Sequence, residues 1–181
     1  APAQTIFVES GGTFNIASAK FTEAFFEWYG ITSGGDNTTA MQKLITARIG
    51  TYFNAATVIR LLPNVVYSFA SPISFNGTYG ISIIGGSGWP GNLTSELRYT
   101  GSGSTTAVTI KSTFGMTWTN VKLCYTSATF TGILLESGHD PSADTNRCTF
   151  IGCSFTGAEN SGGTPTAYTA AALVSIELGI M

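Results

Sequence analysis

"MTWTNVKL", residues 116–123, recurs 32 residues later as "CTFIGCSF", residues 148–155. The superposition lays Trp118 on Phe150, Val121 on Cys153 and Leu123 on Phe155. Both copies alternate apolar and polar residues, the period of a strand with one buried face. Shorter echoes flank them. "AVTI" (107–110) matches "GILL" (132–135) at an offset of 25, and "ILLE" (133–136) matches "VSIE" (174–177) at an offset of 41. In each match the same face points inward. Two interleaved strand series recurring every 25 to 41 residues predict coils stacked as a solenoid. The rival, an antiparallel sandwich, calls for tight Asn-Gly hairpins, and Asn76-Gly77 is the one such dipeptide in the chain.

Outward from the repeat, residues 57–178 read as strands throughout: "TVIRLLP", "VVYSFASPISF", "YGISIIGG", "SELRYTG", "TAVTIKS", "GMTWTNVKLCY", "GILLES", "CTFIGCSF" and "ALVSIEL". Pro63, Pro72 and Pro90 sit at strand edges, where a missing N–H does least harm. The exception to the strands comes earlier. "GGDNTTAMQKLITA" (34–47) puts Ala40, Met41, Leu44 and Ile45 at helical spacing, with Gln42, Lys43 and Thr46 on the other faces. Asp36 or Asn37 supplies the capping oxygen, and Gly50 ends the helix. Such a helix lies on top of something. Before it, "TIFVES", "GTFNIA" and "AFFEWYGI" are candidate strands of an aromatic lead-in, read as a packing surface. The chain divides into a lead-in or neck (1–33), a capping-helix region (34–50) and coils (51–181). The final "AALVSIELGIM" stops within a strand pattern, so the coils are expected to continue past residue 181.

These elements resemble the pectate-lyase-like, right-handed parallel β-helix family, which includes bacteriophage tailspikes and capsule depolymerases. Asp36, Asn37, Thr38, Ala40, Met41, Gln42 and Ile45 match its turn and helix. Val58, Leu62, Pro63, Tyr67, Pro72 and Ile73 match the next element, and Gly80, Ile81, Ile83, Gly85 and Gly88 the third. The resemblance implies an all-β, single-stranded right-handed parallel β-helix with a short N-terminal capping helix. It implies a homotrimeric virion or extracellular protein that binds host cell-surface polysaccharide beside other virion tail proteins. If catalytic, it is a hydrolase or lyase that depolymerises that glycan. The alternatives are a non-catalytic stalk or adhesin and a secreted polysaccharide-degrading enzyme.

Composition agrees with a neutral, hydroxyl-rich surface. Charged residues make up 10% of the 181, against about 25% in ordinary globular domains. The eight basic residues are scattered and the net charge is −2, which argues against a nucleic-acid partner. Mean hydropathy is positive, yet no apolar run approaches the roughly 18 residues of a membrane span, so no membrane is expected. Cys124, Cys148 and Cys153 form no C-x-x-C pair, and one histidine is too few for a zinc site, so neither metal nor cofactor is expected. The cysteines read as buried small apolar side chains.

Candidate chemistry sits in two places. The offset of 41 aligns Glu136 with Glu177 on neighbouring rungs. A rung spacing of about 4.8 Å suits the roughly 5 Å carboxyl separation of retaining glycosidases. The polar loop "ESGHDPSAD" (136–144) adds Asp140 as a third catalytic candidate. It also offers His139 and Asp144 as substrate-binding residues, and Trp89 in "GGSGWPG" (85–91) could stack on a sugar ring. Against both stands the bland reading: solvated strand ends, with Lys111 as a neutralising neighbour of Glu136, and an ordinary turn.

Overall fold

A computed structural model describes residues 23–48, 57–86, 95–111, 113–138, 146–157 and 169–176. Strand β1 (Glu23–Phe25) leads into a 3-10 turn (Phe26–Tyr29) and then helix α1 (Thr38–Arg48). Strands follow in triplets. The first is β2 (Thr57–Arg60), β3 (Val66–Phe69) and β4 (Ile73–Ser74). The second is β5 (Ile81–Ile84), β6 (Ser95–Tyr99) and β7 (Thr106–Lys111). Next come β8 (Phe114–Thr119), β9 (Val121–Tyr125) and β10 (Ile133–Gly138). The last is β11 (Asn146–Ile151), β12 (Ser154–Gly157) and β13 (Ala172–Ile176).

Members of each triplet go to three different sheets, always in the same order. The sheets run β1-β2-β5-β8-β11, β3-β6-β9-β12 and β4-β7-β10-β13, and every strand pairing among the described residues is parallel. The fold is therefore mostly β and built of parallel sheets. Parallel sheets bury their inner faces, and here the inward residues form one continuous core. Rings stack through it from rung to rung: Phe69 to Tyr99 to Phe130, with centroids 5.3 and 5.1 Å apart, and Phe75 to Trp118 to Phe150, at 5.6 and 6.0 Å. These spacings are those of tilted and edge-to-face aromatic pairs.

The repeat read from sequence sets one register correctly. Cys148 pairs with Met116, Phe150 with Trp118 and Phe155 with Leu123, all 32 apart. The other two offsets are wrong by two residues each. Leu135 pairs with Val108, an offset of 27 rather than 25, and Ile133 with Ala172, an offset of 39 rather than 41. Alternation has a period of two, so it fixes which face is buried and leaves a two-residue slip unmarked.

Three expected strands are each two strands joined by a corner. "GMTWTNVKLCY" bends at Asn120, whose φ is 53°, and "CTFIGCSF" at Gly152, with φ 60°. The two corners stack: Asn120 N–H donates to Ile151 O at 2.8 Å, and a Cβ at Gly152 would sit 2.5 Å from Asn120 Oδ1. Asn tolerates the left-handed region and Gly enters it without penalty. "VVYSFASPISF" likewise divides into β3 and β4 around Pro72. "AFFEWYGI" is not one strand either. It gives the end of β1 and a 3-10 turn closed by Gly30 at φ 75°. Its Phe26 packs edge-on against Tyr67 at 5.0 Å, the packing role expected of that aromatic cluster. "TIFVES", "GTFNIA" and Gly50 lie outside the described residues.

Helix α1 matches its expected face. Met41, Leu44 and Ile45 are buried, Ala40 and Gln42 half-buried, and Lys43 and Thr46 exposed. Of the two candidate caps, Asp36 supplies the capping oxygen and Asn37 turns its side chain away from the helix. Asp36 Oδ1 accepts from the Thr38 N–H at 3.0 Å, while the buried Asn37 side chain accepts from Thr32 N–H and donates to Thr32 O and Ser68 O.

Candidate functional site

In a parallel stack the outward side chains of successive strands line up as rows, so register decides which polar groups meet. On the third sheet one row is Ser74, Thr109, Glu136 and Ser175. Glu136 does not stand alone. Lys111 Nζ lies 3.1 Å from its Oε1 and Thr106 Oγ1 lies 3.3 Å from its Oε2. The neutralising role suggested for Lys111 is what the geometry gives. The expected Glu136–Glu177 alignment does not hold, because the cross-rung partner of Glu136 is Ser175. Glu177 itself lies outside the described residues, as do His139, Asp140, Asp144 and Trp89. Of the six residues singled out from sequence, the structure places Glu136.

The second sheet carries a cluster that sequence reading passed over. Its outward rows are Val66–Glu96–Lys122–Ser154 and Ser68–Arg98–Cys124–Thr156. Glu96 is only 7% exposed. Its Oε1 takes Arg98 Nη2 at 2.5 Å and the Cys124 thiol at 3.1 Å, and its Oε2 faces Lys122 Nζ at 3.3 Å. Burial alone would push the carboxyl up. The hydrogen bonds from Arg98 and Cys124 and the charges of Lys122 and Arg98 outweigh it and hold Glu96 below the usual carboxylate value. The opposite happens to Cys124, whose thiol is pushed up to about 12 by burial and by the Glu96 charge. At neutral pH it is a protonated donor and a poor nucleophile. Cys124 is thus buried as expected of an apolar thiol, yet on the outward face and in a polar contact. Cys148 and Cys153, also free, are half-buried against the core.

A partial signal for this cluster was present. Glu96 and Arg98 stand two apart in "SELRY", which puts them on one face of a strand. Bringing in Lys122 requires the β6–β9 register, at an offset of 26 that matches none of the repeats read from sequence.

The first sheet is different in character. Its outward rows, Glu23–Val58–Ser82–Thr117–Thr149 and Phe25–Arg60–Ile84–Thr119–Ile151, hold a single ion pair, Arg60 to Glu23 at 2.7 Å. Among the described residues no three His, Cys, Asp or Glu side chains gather as a metal cluster, and no helix is long and apolar enough to cross a membrane. Comparison with known protein families, with characterised proteins and with solved structures yields no match for this chain.

Proposed function

We propose that the three sheets close on one another as a right-handed parallel β-helix capped by α1. In this reading the chain acts as a virion spike or fibre of the tailspike type, a homotrimer that binds the surface polysaccharide of a host. The observation that carries it is the outward surface of the stack. Parallel rungs present rows of Ser and Thr with few charges: Ser82–Thr117–Thr149 on one sheet, Ser74–Thr109–Glu136–Ser175 on another. Evenly spaced hydroxyls on a rigid wall suit a polymer of hydroxylated rings, which needs many modest hydrogen bonds in register. Fold by itself assigns no function, so the reading rests on that surface.

Binding without cleavage is favoured for the described coils. A retaining glycosidase needs two free carboxyl groups facing one another. Glu136 is engaged by Lys111 and faces Ser175, and Glu96 is buried under two cations. The candidates Asp140, Glu177, His139, Asp144 and Trp89 remain the residues a cleaving site would draw on.

The test is retention of a panel of purified bacterial capsular and O-antigen polysaccharides by the immobilised protein, with polymer length measured afterwards. Selective retention of at least one polymer at unchanged length is expected. Shortening of the polymer, abolished by Glu136→Gln or Asp140→Asn, would replace the binding reading with a depolymerase. Retention of none would contradict both.

A further inference from the structure

We infer that Arg98 and Lys122 form a subsite for the carboxylate of an acidic sugar, so that the polysaccharide bound on this wall is anionic; the inference rests on the polysaccharide reading above. Among the strand cations that the structure places in ion pairs, charge balance singles the place out. Arg60 has Glu23 to itself and Lys111 has Glu136 to itself, whereas Arg98 and Lys122 share Glu96. The second sheet therefore holds one positive charge that no described carboxylate matches, in a chain whose net charge is negative.

The positions of the three groups make this a binding arrangement and not a closed ion pair. Glu96 lies beneath with its side chain 10% exposed, while Arg98 and Lys122 are 36% and 23% exposed above it. Anchored by the same carboxylate, both cations are held near one another on adjacent strands, Lys122 being the row partner of Glu96 and a diagonal neighbour of Arg98. A guanidinium has five N–H donors and an ammonium three, more than one carboxylate can accept. The partly exposed side chains keep donors for an incoming group, and a planar carboxylate meets a guanidinium in its preferred geometry. Ser68 lies beside Arg98 in its row and Ser154 beside Lys122, placing a hydroxyl on each flank for the neighbouring ring positions of a sugar. Cys124, protonated and buried, offers no nucleophile, so the subsite binds and does not react.

The test compares carboxylated with neutral bacterial capsular polysaccharides on the full chain, at low salt and at 0.5 M salt. Three proteins are measured: wild type, Glu96→Gln, and a triple variant with Glu96→Gln, Arg98→Gln and Lys122→Gln. The triple change is used because removing the cations alone would leave Glu96 buried and unpaired, a strongly destabilising state. Wild type is expected to favour at least one carboxylated polymer by tenfold or more, with the preference lost at high salt. Glu96→Gln frees both cations and is expected to tighten that binding several-fold. The triple variant is expected to lose the preference while its melting temperature falls by no more than about 4 °C. Should the triple variant fail to fold, the direction of the Glu96→Gln effect decides alone: weaker or unchanged binding overturns the subsite. Retention of neutral polymers but no carboxylated one overturns the subsite and leaves the polysaccharide reading standing. Retention of none overturns both. Competition by millimolar acetate equal to that of the polymer's own acidic monosaccharide would mark a simple anion site and overturn the sugar assignment.

Discussion

The two ends of the sheet stack are made of similar rungs and finish differently. At the N-terminal end each strand of the first triplet has its outer edge occupied. β1 pairs along β2, Asn37 donates through its backbone N–H and its side chain to Ser68 O of β3, and the Gln42 amide clasps β4. In that clasp Gln42 Oε1 accepts from Ser74 N–H at 3.0 Å and its Nε2 donates to Ser74 O at 3.2 Å, as a paired strand would. Met41, Leu44 and Ile45 of α1 then cover the core. At the other end β11, β12 and β13 are the last strands of their sheets among the described residues. Phe150, Phe155 and Val174 are only half-buried there, although their register partners Trp118, Leu123 and Leu135 are fully buried. Side-chain chemistry is the same in both places. What differs among the described residues is burial of the rung, which α1 covers at the first triplet and which is partial at the last; exposed strand edges invite pairing with other chains.

Equal truncations at the two ends give the largest contrast. Leu44→Ala at the capped end removes a fully buried side chain and is expected to cost about 3 kcal/mol. Leu173→Ala at the half-exposed end should cost under about 1.5 kcal/mol, in proportion to the smaller area buried. Urea unfolding of the two variants checks the difference, and equal losses would break the comparison. Next comes Gln42→Ala, which strips both partners from Ser74. A loss of about 1–2 kcal/mol is expected, with concentration-dependent self-association by light scattering as the bare β4 edge finds other chains. Hydrogen exchange offers a finer view: amides of β11, β12 and β13 should exchange faster than those of β5, β8 and β9, which are paired on both sides.

The smallest effect concerns pH. Glu96 is held below its ordinary value of 4.5, so its contribution to stability is present above that value and is lost as pH falls through the lower folded-state value. Glu96→Gln should flatten this part of the stability profile below pH 4.5 and leave the slope above pH 6 unchanged. Because Arg98 is more than a third exposed, solvent screens the pair and the effect should stay near 1 kcal/mol or less.

Reading the sequence succeeded where a physical constraint leaves a direct mark. The α1 face was legible because a helix on a core needs apolar residues at Met41, Leu44 and Ile45. The 32-residue register was legible because β8–β9 and β11–β12 share a corner that must turn through a left-handed residue, Asn120 or Gly152, which anchors the alignment. No such anchor lies within β7, β10 or β13, and there the alternation pattern slid by two. That slip produced the Glu136–Glu177 pair that the register does not support. The Glu96 cluster escaped because its members come from different strands whose spacing follows loop length, and loop length is not written in hydrophobic pattern.

The central claim is a stack of parallel rungs, and solution NMR on a uniformly labelled sample tests it directly. Cross-strand backbone contacts are expected between Trp118 and Phe150, Leu123 and Phe155, Val108 and Leu135, and Leu97 and Leu123, all with the weak Hα–Hα contacts of parallel pairing. Strong Hα–Hα contacts between β8 and β9, or between β11 and β12, would make those segments antiparallel hairpins. That result would contradict the stack and, with it, the outward rows from which the proposed polysaccharide binding and the proposed Arg98–Lys122 subsite are argued.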